Sequence, residues 1–186
     1  MKNLLAAFVL SLIAAAPLAA QEKAITEKVT VKAKVDDVWR AWTTSAGIKT
    51  FFAPDALVEL KVDGPFQIYI DPTAEPGMKG ADDMRFLAFQ ENKMLTFTWN
   101  APPSLPEARK QRTVVIVRFE ARGDAITDVT LTHVGWGEGG EWDKAHGYLS
   151  RAWPNVLKNL KKRFDDGPVD WTPLLEQLKK SKAPKK

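Results

Sequence analysis

The chain of 186 residues is 45% hydrophobic and 27% charged, with 11 Gly and 12 Pro, a balance that excludes collagen-like, low-complexity and wholly disordered proteins. Lys and Arg number 27 against 23 Asp and Glu, but five of the lysines fall in residues 179–186. Without these and Lys2, the acidic residues outnumber the basic ones. The body of the protein therefore has no basic excess of the kind that nucleic acid requires, and we predict no nucleic-acid partner.

The N-terminus has the organisation of a targeting signal. Lys2 precedes an apolar run over residues 4–16, which ends at Pro17, and polar residues begin at Gln21. This order is typical of a secretory signal peptide, and the run is shorter than the about 20 residues that cross a bilayer. We therefore predict a signal peptide over residues 1–20, a periplasmic or secreted location, and no integral membrane segment after signal cleavage.

The first elements of the mature chain are one strand and two short helices. Apolar and polar residues alternate over residues 21–35, which predicts a strand with one solvent-facing side. Two aspartates then precede residues 38–42, which have a helical pattern. We predict a helix that begins here, because acidic side chains stabilise the positive end of a helix dipole. A second short helix or turn is predicted over residues 46–52, ended by Pro54.

Six further strands are predicted, with turns or proline-rich loops between them. They cover residues 56–62, 66–70, 83–90, 94–100, 110–121 and 126–134. Successive strands joined by short turns predict an antiparallel sheet.

The hydrophobic period then changes. Apolar residues recur at helical spacing from Glu141 to Phe164, which predicts a long amphipathic helix, and Pro154 predicts a kink there or two helices that meet there. Thr172 and Pro173 predict the start of a short terminal helix. The order of elements predicts an α+β fold, in which a curved antiparallel sheet of about seven strands wraps around the long C-terminal helix and leaves a cavity between them.

Six segments carry a pattern that points to a known superfamily. They are residues 38–44 (VWRAWTT), 48–54 (IKTFFAP), 63–66 (DGPF), 95–99 (LTFTW), 127–135 (TDVTLTHVG) and 153–160 (WPNVLKNL). These segments resemble the START-like, or SRPBCC, superfamily of helix-grip proteins, and most of all its branch related to the activator of heat-shock protein 90 ATPase. The resemblance implies a START-like domain over residues 21–168, followed by a short helix and basic C-terminal tail over residues 169–186.

Nothing in the sequence predicts a cofactor or a metal ion. Residues 135–140 match G-x-G-x-x-G, but no second parallel strand follows to complete a dinucleotide-binding unit. The two histidines have no metal-ligand spacing, and the chain has no Cys. The paired acids, among them Asp82 and Asp83, fit helix caps and solvated turns.

The resemblance covers hydrophobic-ligand binders, cyclases, dehydratases and co-chaperones, and it carries no shared catalytic set. We predict that the protein binds a small hydrophobic molecule in its cavity, with aromatic residues for burial and histidines as polar anchors. The candidate ligand-binding residues are Phe66, Ile68, Phe97, Trp99, His133, Trp136, Trp142, His146 and Trp153.

Two alternatives remain open from the sequence. One is an enzyme, a cyclase, hydrolase or isomerase that uses His133 or His146, because an imidazole titrates near neutrality. The other is a chaperone-like protein-interaction module. The basic tail also predicts a weak contact with an anionic surface.

Overall fold

The computed structural model describes residues 23–182. The predicted signal peptide and the last four residues of the basic tail lie outside the described residues, and the predicted domain boundaries stay predictions. The described chain begins with β1 (Ile25–Val31), α1 (Val35–Thr43) and α2 (Ser45–Ile48). Asp36 and Asp37 lie in the first turn of α1, and its apolar face is buried, as the sequence predicts.

Within residues 23–182, eight strands form two antiparallel sheets. The later strands are β2 (Asp55–Val58), β3 (Phe66–Tyr69), β4 (Gly80–Ala81), β5 (Phe86–Gln90), β6 (Met94–Trp99), β7 (Thr113–Ala121) and β8 (Thr127–Val134). The larger sheet has the order β1-β8-β7-β6-β5 and the smaller one β2-β3-β4. A bridge between Pro65 and Arg85 joins the two sheets.

The sequence predicts about seven strands, and the additional one is β4. This strand has only two residues, too few to produce an alternating pattern. It lies at the end of a segment with Pro72, Pro76 and Gly77, which the sequence predicts as a loop. The predicted strand over residues 110–121 begins only at Thr113, because residues 110–112 form the turn that follows α3 (Pro106–Arg109).

One long helix, α4 (Gly140–Asp166), packs against the sheet. It has 27 residues and is continuous across Pro154, so the alternative of two helices meeting there is wrong. Its buried residues recur every three or four positions, at Ala145, Leu149, Trp153, Leu157 and Leu160. Pro154 lies on the exposed face beside Trp153, where the loss of one backbone hydrogen bond does not disturb the core.

The last element is α5 (Thr172–Lys182), which has no buried residue. The side chain of Trp171, just before it, donates a hydrogen bond to the Lys49 carbonyl at 2.7 Å. Within residues 23–182, no helix is long and apolar enough to cross a membrane. The architecture confirms the predicted α+β fold with a curved antiparallel sheet and a long C-terminal helix.

Candidate ligand-binding cavity

An apolar cavity of about 270 Å³ lies between the sheets and the middle of α4. Three parts of the chain enclose it: the end of β3 with the loop into β4, the end of β6 with residues 100–103, and one face of α4. Phe52, in the turn after α2, completes the enclosure. The cavity therefore lies at the place where the sequence predicts an opening between sheet and helix.

Three aromatic rings form one wall of this cavity. The rings of Phe52 and Trp99 stack with centroids 5.8 Å apart and an interplanar angle of 19°. The ring of Trp153 lies 5.0 Å from that of Trp99 and 5.8 Å from that of Phe52. We call these three residues the aromatic wall. Such a wall can bury a flat apolar group by stacking or edge contact.

The mouth of the cavity also has apolar side chains. Ile70, Met78 and Tyr148 border the cavity and are exposed by 38%, 49% and 46%. A ligand that enters here meets apolar atoms from the surface inwards, which favours a hydrophobic molecule.

Both charged residues that border the cavity already have partners. The Asp71 carboxylate lies 2.7 Å from Lys182 Nζ at the end of α5 and accepts a hydrogen bond of 2.8 Å from Thr73 Oγ1. The hydrogen bond from Lys182 lowers the pKa of Asp71, so the carboxylate stays ionised. The Lys79 ammonium lies 5.2 Å from the centroid of the Tyr69 ring, a cation–π arrangement.

Asn100 is the polar residue with the least exposure in the cavity lining. It is 5% exposed, and its Nδ2 donates a long hydrogen bond of 3.4 Å to the Asp82 carbonyl. It follows Trp99 at the end of β6, so it borders the apolar cavity beside the aromatic wall.

A buried ion pair holds two segments of the cavity lining together. The Arg109 guanidinium donates to the carbonyls of Gly77 at 2.7 Å and Gly80 at 2.8 Å, and to that of Ala101 at 2.5 Å. It also lies 3.1 Å from Asp82 Oδ2. The Asp82 carboxylate in turn accepts from the backbone N–H groups of Gly77 and Gly80, each at 3.0 Å. The loop into β4 and the segment after β6 are therefore fixed to one another.

His133 lies in the interior and both of its ring nitrogens are occupied. Its Nδ1 accepts a 2.9 Å hydrogen bond from Trp153 Nε1, and its Nε2 lies 2.6 Å from Thr113 Oγ1. Thr113 Oγ1 donates onwards to the Trp99 carbonyl at 3.2 Å, so the ring proton belongs to Nε2. Burial, with a smaller contribution from nearby His146, lowers the pKa of His133 to about 3.

His146 belongs to a small cluster at the N-terminal part of α4, which adjoins the main core through Trp136. Its ring packs edge-on against Trp136 with centroids 5.0 Å apart, and Trp136 Nε1 donates to the His133 carbonyl at 3.0 Å. Trp136 and Trp142 pack beside Ala101, Ala108 and Ala145. Desolvation lowers the pKa of His146, so its imidazole is neutral at physiological pH.

The structure therefore divides the nine predicted site residues into four groups. Trp99 and Trp153 border the cavity. Phe66, Ile68 and Phe97 are fully buried in the core behind it. His133 lies behind Trp153, and the remaining predicted residues are Trp136, Trp142 and His146 of the small cluster.

Sequence reasoning missed four residues that shape the cavity: Phe52, Asn100, Tyr148 and the structural Arg109. Phe52 lies in the segment IKTFFAP, which carries the family resemblance. Tyr148 lies three residues after Ala145, so it is close to the apolar face of α4. Both residues therefore had a signal in the sequence. Asp82, which fits a solvated turn by sequence, is instead 6% exposed and paired with Arg109. Within the described range, no group of three or more His, Asp or Glu side chains could hold a metal ion.

The sequence profile of the family described as "Activator of Hsp90 ATPase homolog 1-like protein" matches residues 32–165. The chain belongs to this family. The match begins just after β1 and runs from α1 to near the end of α4, so it includes every residue that borders the cavity. It confirms the resemblance to the START-like helix-grip superfamily and to this branch of it.

Solved structures show the same fold at low sequence identity. Protein MLL2253 from Mesorhizobium loti is 21% identical with a TM-score of 0.63, and the alignment covers 79% of this chain and 100% of that one. The Aha1 dimer from Colwellia psychrerythraea is 19% identical with a TM-score of 0.60, covering 78% and 98%. CalU16 from Micromonospora echinospora is 20% identical with a TM-score of 0.57, covering 85% and 82%. No curated protein matches the chain significantly.

Proposed function

We propose that this protein binds a small hydrophobic molecule in the cavity between its sheets and α4. The observation that carries the proposal is the aromatic wall, which faces an apolar opening of about 270 Å³. Ligand sites are concave and mostly apolar, with few polar groups, and this cavity meets that description. Its position between sheet and helix is the one that a helix-grip domain provides.

The cavity does not favour the alternative of an enzyme that uses a histidine. Neither His133 nor His146 borders the cavity. Both ring nitrogens of His133 are occupied by Trp153 and Thr113. A general base must reach the proton that it removes, and neither imidazole is placed to do so here.

Native mass spectrometry of gently purified protein tests the proposal. We expect an additional mass above that of the denatured chain, removable by organic extraction, which can then be identified. In Ala152→Trp, an indole on α4 fills the cavity that Ala152 borders, so this variant should lose the additional mass. Ala88→Trp, at an exposed position on β5, is the matched control and should keep it.

Two results would count against the proposal. A bare mass for the wild-type protein would contradict tight ligand carriage. An additional mass that persists unchanged in Ala152→Trp would mean that the bound molecule occupies another part of the protein.

We also propose that the protein acts in the periplasm or outside the cell, with a mature chain that begins at Gln21. The support is the signal-like order of residues 1–20. The extracellular or periplasmic fraction should contain a chain whose mass starts at Gln21. Leu10→Glu, a charge in the apolar run, should retain the full-length chain inside the cell, whereas Lys28→Glu in the mature part should not. Export of Leu10→Glu would contradict the proposal.

The basic C-terminal segment supports a weak contact with an anionic surface. Residues 179–186 hold five lysines and no acid, and Lys179 and Lys180 are exposed on α5. Co-sedimentation with vesicles that contain an anionic lipid should be measurable at low salt and should fall as salt rises. Equal binding to neutral vesicles would contradict an electrostatic contact.

A further inference from the structure

Neither charged group that borders the cavity is placed to pair with a charged ligand inside it. Asp71 is engaged by Lys182 and Thr73, and the Lys79 ammonium lies against the Tyr69 ring. Tyr69 alternates on β3 with the buried Ile68 and therefore belongs to the opposite face of that strand. A charged ligand would lose its hydration in the cavity without gaining an ion-pair partner, and such burial is strongly unfavourable. The cavity therefore selects against ions.

The aromatic wall favours a flat molecule over a flexible chain. Phe52 and Trp99 stack nearly parallel, and Trp153 closes one end at an angle of 67° to Phe52. A ring placed against Trp99 gains stacking contact while it keeps edge contact with Trp153. Rigid rings also lose less conformational entropy on binding than an alkyl chain with many rotatable bonds.

Asn100 offers this ring one directional polar contact. Its Nδ2 donates to the Asp82 carbonyl. Its Oδ1 accepts no hydrogen bond within residues 23–182. It is also not among the fully buried polar atoms that lack a partner, so part of its surface is accessible. The side chain borders both the apolar cavity and a more polar groove beside Asp82 and Arg109, and its oxygen is free to accept a hydrogen bond from a molecule bound in the cavity.

We propose that the ligand is a neutral aromatic molecule with a hydroxyl group, and that Asn100 Oδ1 accepts a hydrogen bond from that hydroxyl beside the aromatic wall. This inference rests on the proposed function of the cavity as a ligand site. It assigns Asn100 as the residue that determines specificity, in a cavity lined mostly by apolar side chains.

Equilibrium dialysis with three matched probes tests this ligand class: naphthalene, 2-naphthol and 2-naphthoate. The three share one ring system and differ in the group that meets Asn100. We expect 2-naphthol to bind about tenfold more tightly than naphthalene, because the hydroxyl pairs with an oxygen that naphthalene would leave unpaired. We expect 2-naphthoate to bind more weakly than either, because its carboxylate finds no cation.

Variants at Asn100 separate its role from the shape of the cavity. Asn100→Leu keeps a similar volume without the amide and should reduce 2-naphthol to the affinity of naphthalene. Asn100→Ser keeps an uncharged oxygen acceptor and should retain part of the preference for 2-naphthol, which guards against a merely misfolded Leu variant. Asn155→Leu, on the exposed face of α4, is the control and should bind all three probes as the wild type does.

The outcomes distinguish this inference from the proposed function. If no probe binds the wild-type protein, both the site and the ligand class are overturned. If the probes bind but 2-naphthol has no advantage, the ligand class alone is wrong. If the advantage of 2-naphthol persists in Asn100→Leu, the assignment to Asn100 is overturned.

Discussion

At the scale of single residues, the interior histidine is the group with the clearest consequence. Trp153, His133, Thr113 and the Trp99 carbonyl form one chain of hydrogen bonds that starts and ends at the aromatic wall. Protonation of His133 would place a second proton on Nδ1, facing the indole N–H of Trp153. The chain therefore holds the imidazole neutral and fixes the orientation of Trp153.

This arrangement predicts that the free energy of unfolding falls as the solution is acidified. The pKa of His133 is about 3 in the folded protein, against the ordinary value of 6.5 for a solvated histidine, which applies to the unfolded chain. Between these values the unfolded state binds a proton at His133 and the folded state does not. The contribution of His133 to the free energy of unfolding is therefore fully present above pH 6.5 and declines below it. The expected slope is about 1.4 kcal/mol per pH unit. Urea unfolding between pH 7 and pH 4.5 measures it.

Two variants identify the residue responsible. His133→Gln keeps one donor and one acceptor but does not titrate, so its stability should depend less on pH over this range. His146→Gln, at a half-buried position, should keep most of the slope. An unchanged slope in His133→Gln would show that other groups cause the acid sensitivity.

At the scale of elements, the loop from Asp71 to Gly80 is held at both ends by different means. At one end lies the Arg109–Asp82 pair, with side chains exposed by 13% and 8%. At the other lies the Lys182–Asp71 pair, exposed by 43% and 19%. A buried charge is costly to leave unpaired, whereas an exposed pair contributes little.

We therefore expect the two pairs to differ in energetic weight. Arg109→Met leaves the Asp82 carboxylate buried without its cation and should lower the free energy of unfolding by about 3–5 kcal/mol. Lys182→Met should lower it by less than about 1 kcal/mol while increasing amide hydrogen exchange in residues 71–76. Urea unfolding and hydrogen-exchange mass spectrometry measure the two effects. Equal losses of stability would contradict the distinction.

Elements with a clear hydrophobic period were predictable, and those without one were not. The 27-residue helix α4 has buried residues at helical spacing, and β6 alternates buried and half-buried residues throughout. The region of β5 has Phe86 and Leu87 side by side, and the register shifts between Phe86 and Ala88. This irregularity turns Leu87 outwards, where it is 43% exposed, so alternation could not assign its face.

The cavity was harder to predict than the fold because its lining comes from separate loops. Trp99 and Trp153 were predictable, since both follow the inward positions of regular elements. Asn100 is the first residue after a strand, and Phe52 lies in a turn, where no period applies. Arg109 shapes the lining through hydrogen bonds to carbonyl groups of two other segments, the loop into β4 and the segment after β6, which only the folded chain brings together.

At the scale of the whole molecule, one large core contains most of the buried tryptophans. Trp39, Trp42, Trp99 and Trp153 all belong to it, whereas α5 has no buried residue. A chain that ends at Asp170 should therefore unfold in a single transition, at a cost of about 1–2 kcal/mol for the lost hydrogen bond of Trp171 and its packing. Tryptophan emission and circular dichroism should report the same midpoint.

Leu157→Ala is the comparison for this truncation. The side chain is buried in the core at 3% exposure, and its removal should cost about 2–5 kcal/mol. A truncated chain that loses as much stability as Leu157→Ala would mean that α5 is a part of the core fold.

The pairing of β1 has a consequence for the order in which the protein is made. Ile25 lies opposite His133 and Val31 opposite Thr127. β1, which is synthesised before the other strands, therefore cannot pair until β8 has been synthesised. Joining segments so distant along the chain is slow, because the loop between them must be closed first. The beginning of the chain therefore stays without its partner until nearly the whole domain has left the ribosome. The neighbouring strands from β5 to β8 can already pair with one another, so β1 is the strand whose backbone hydrogen-bonding groups stay open to other partners for the longest time.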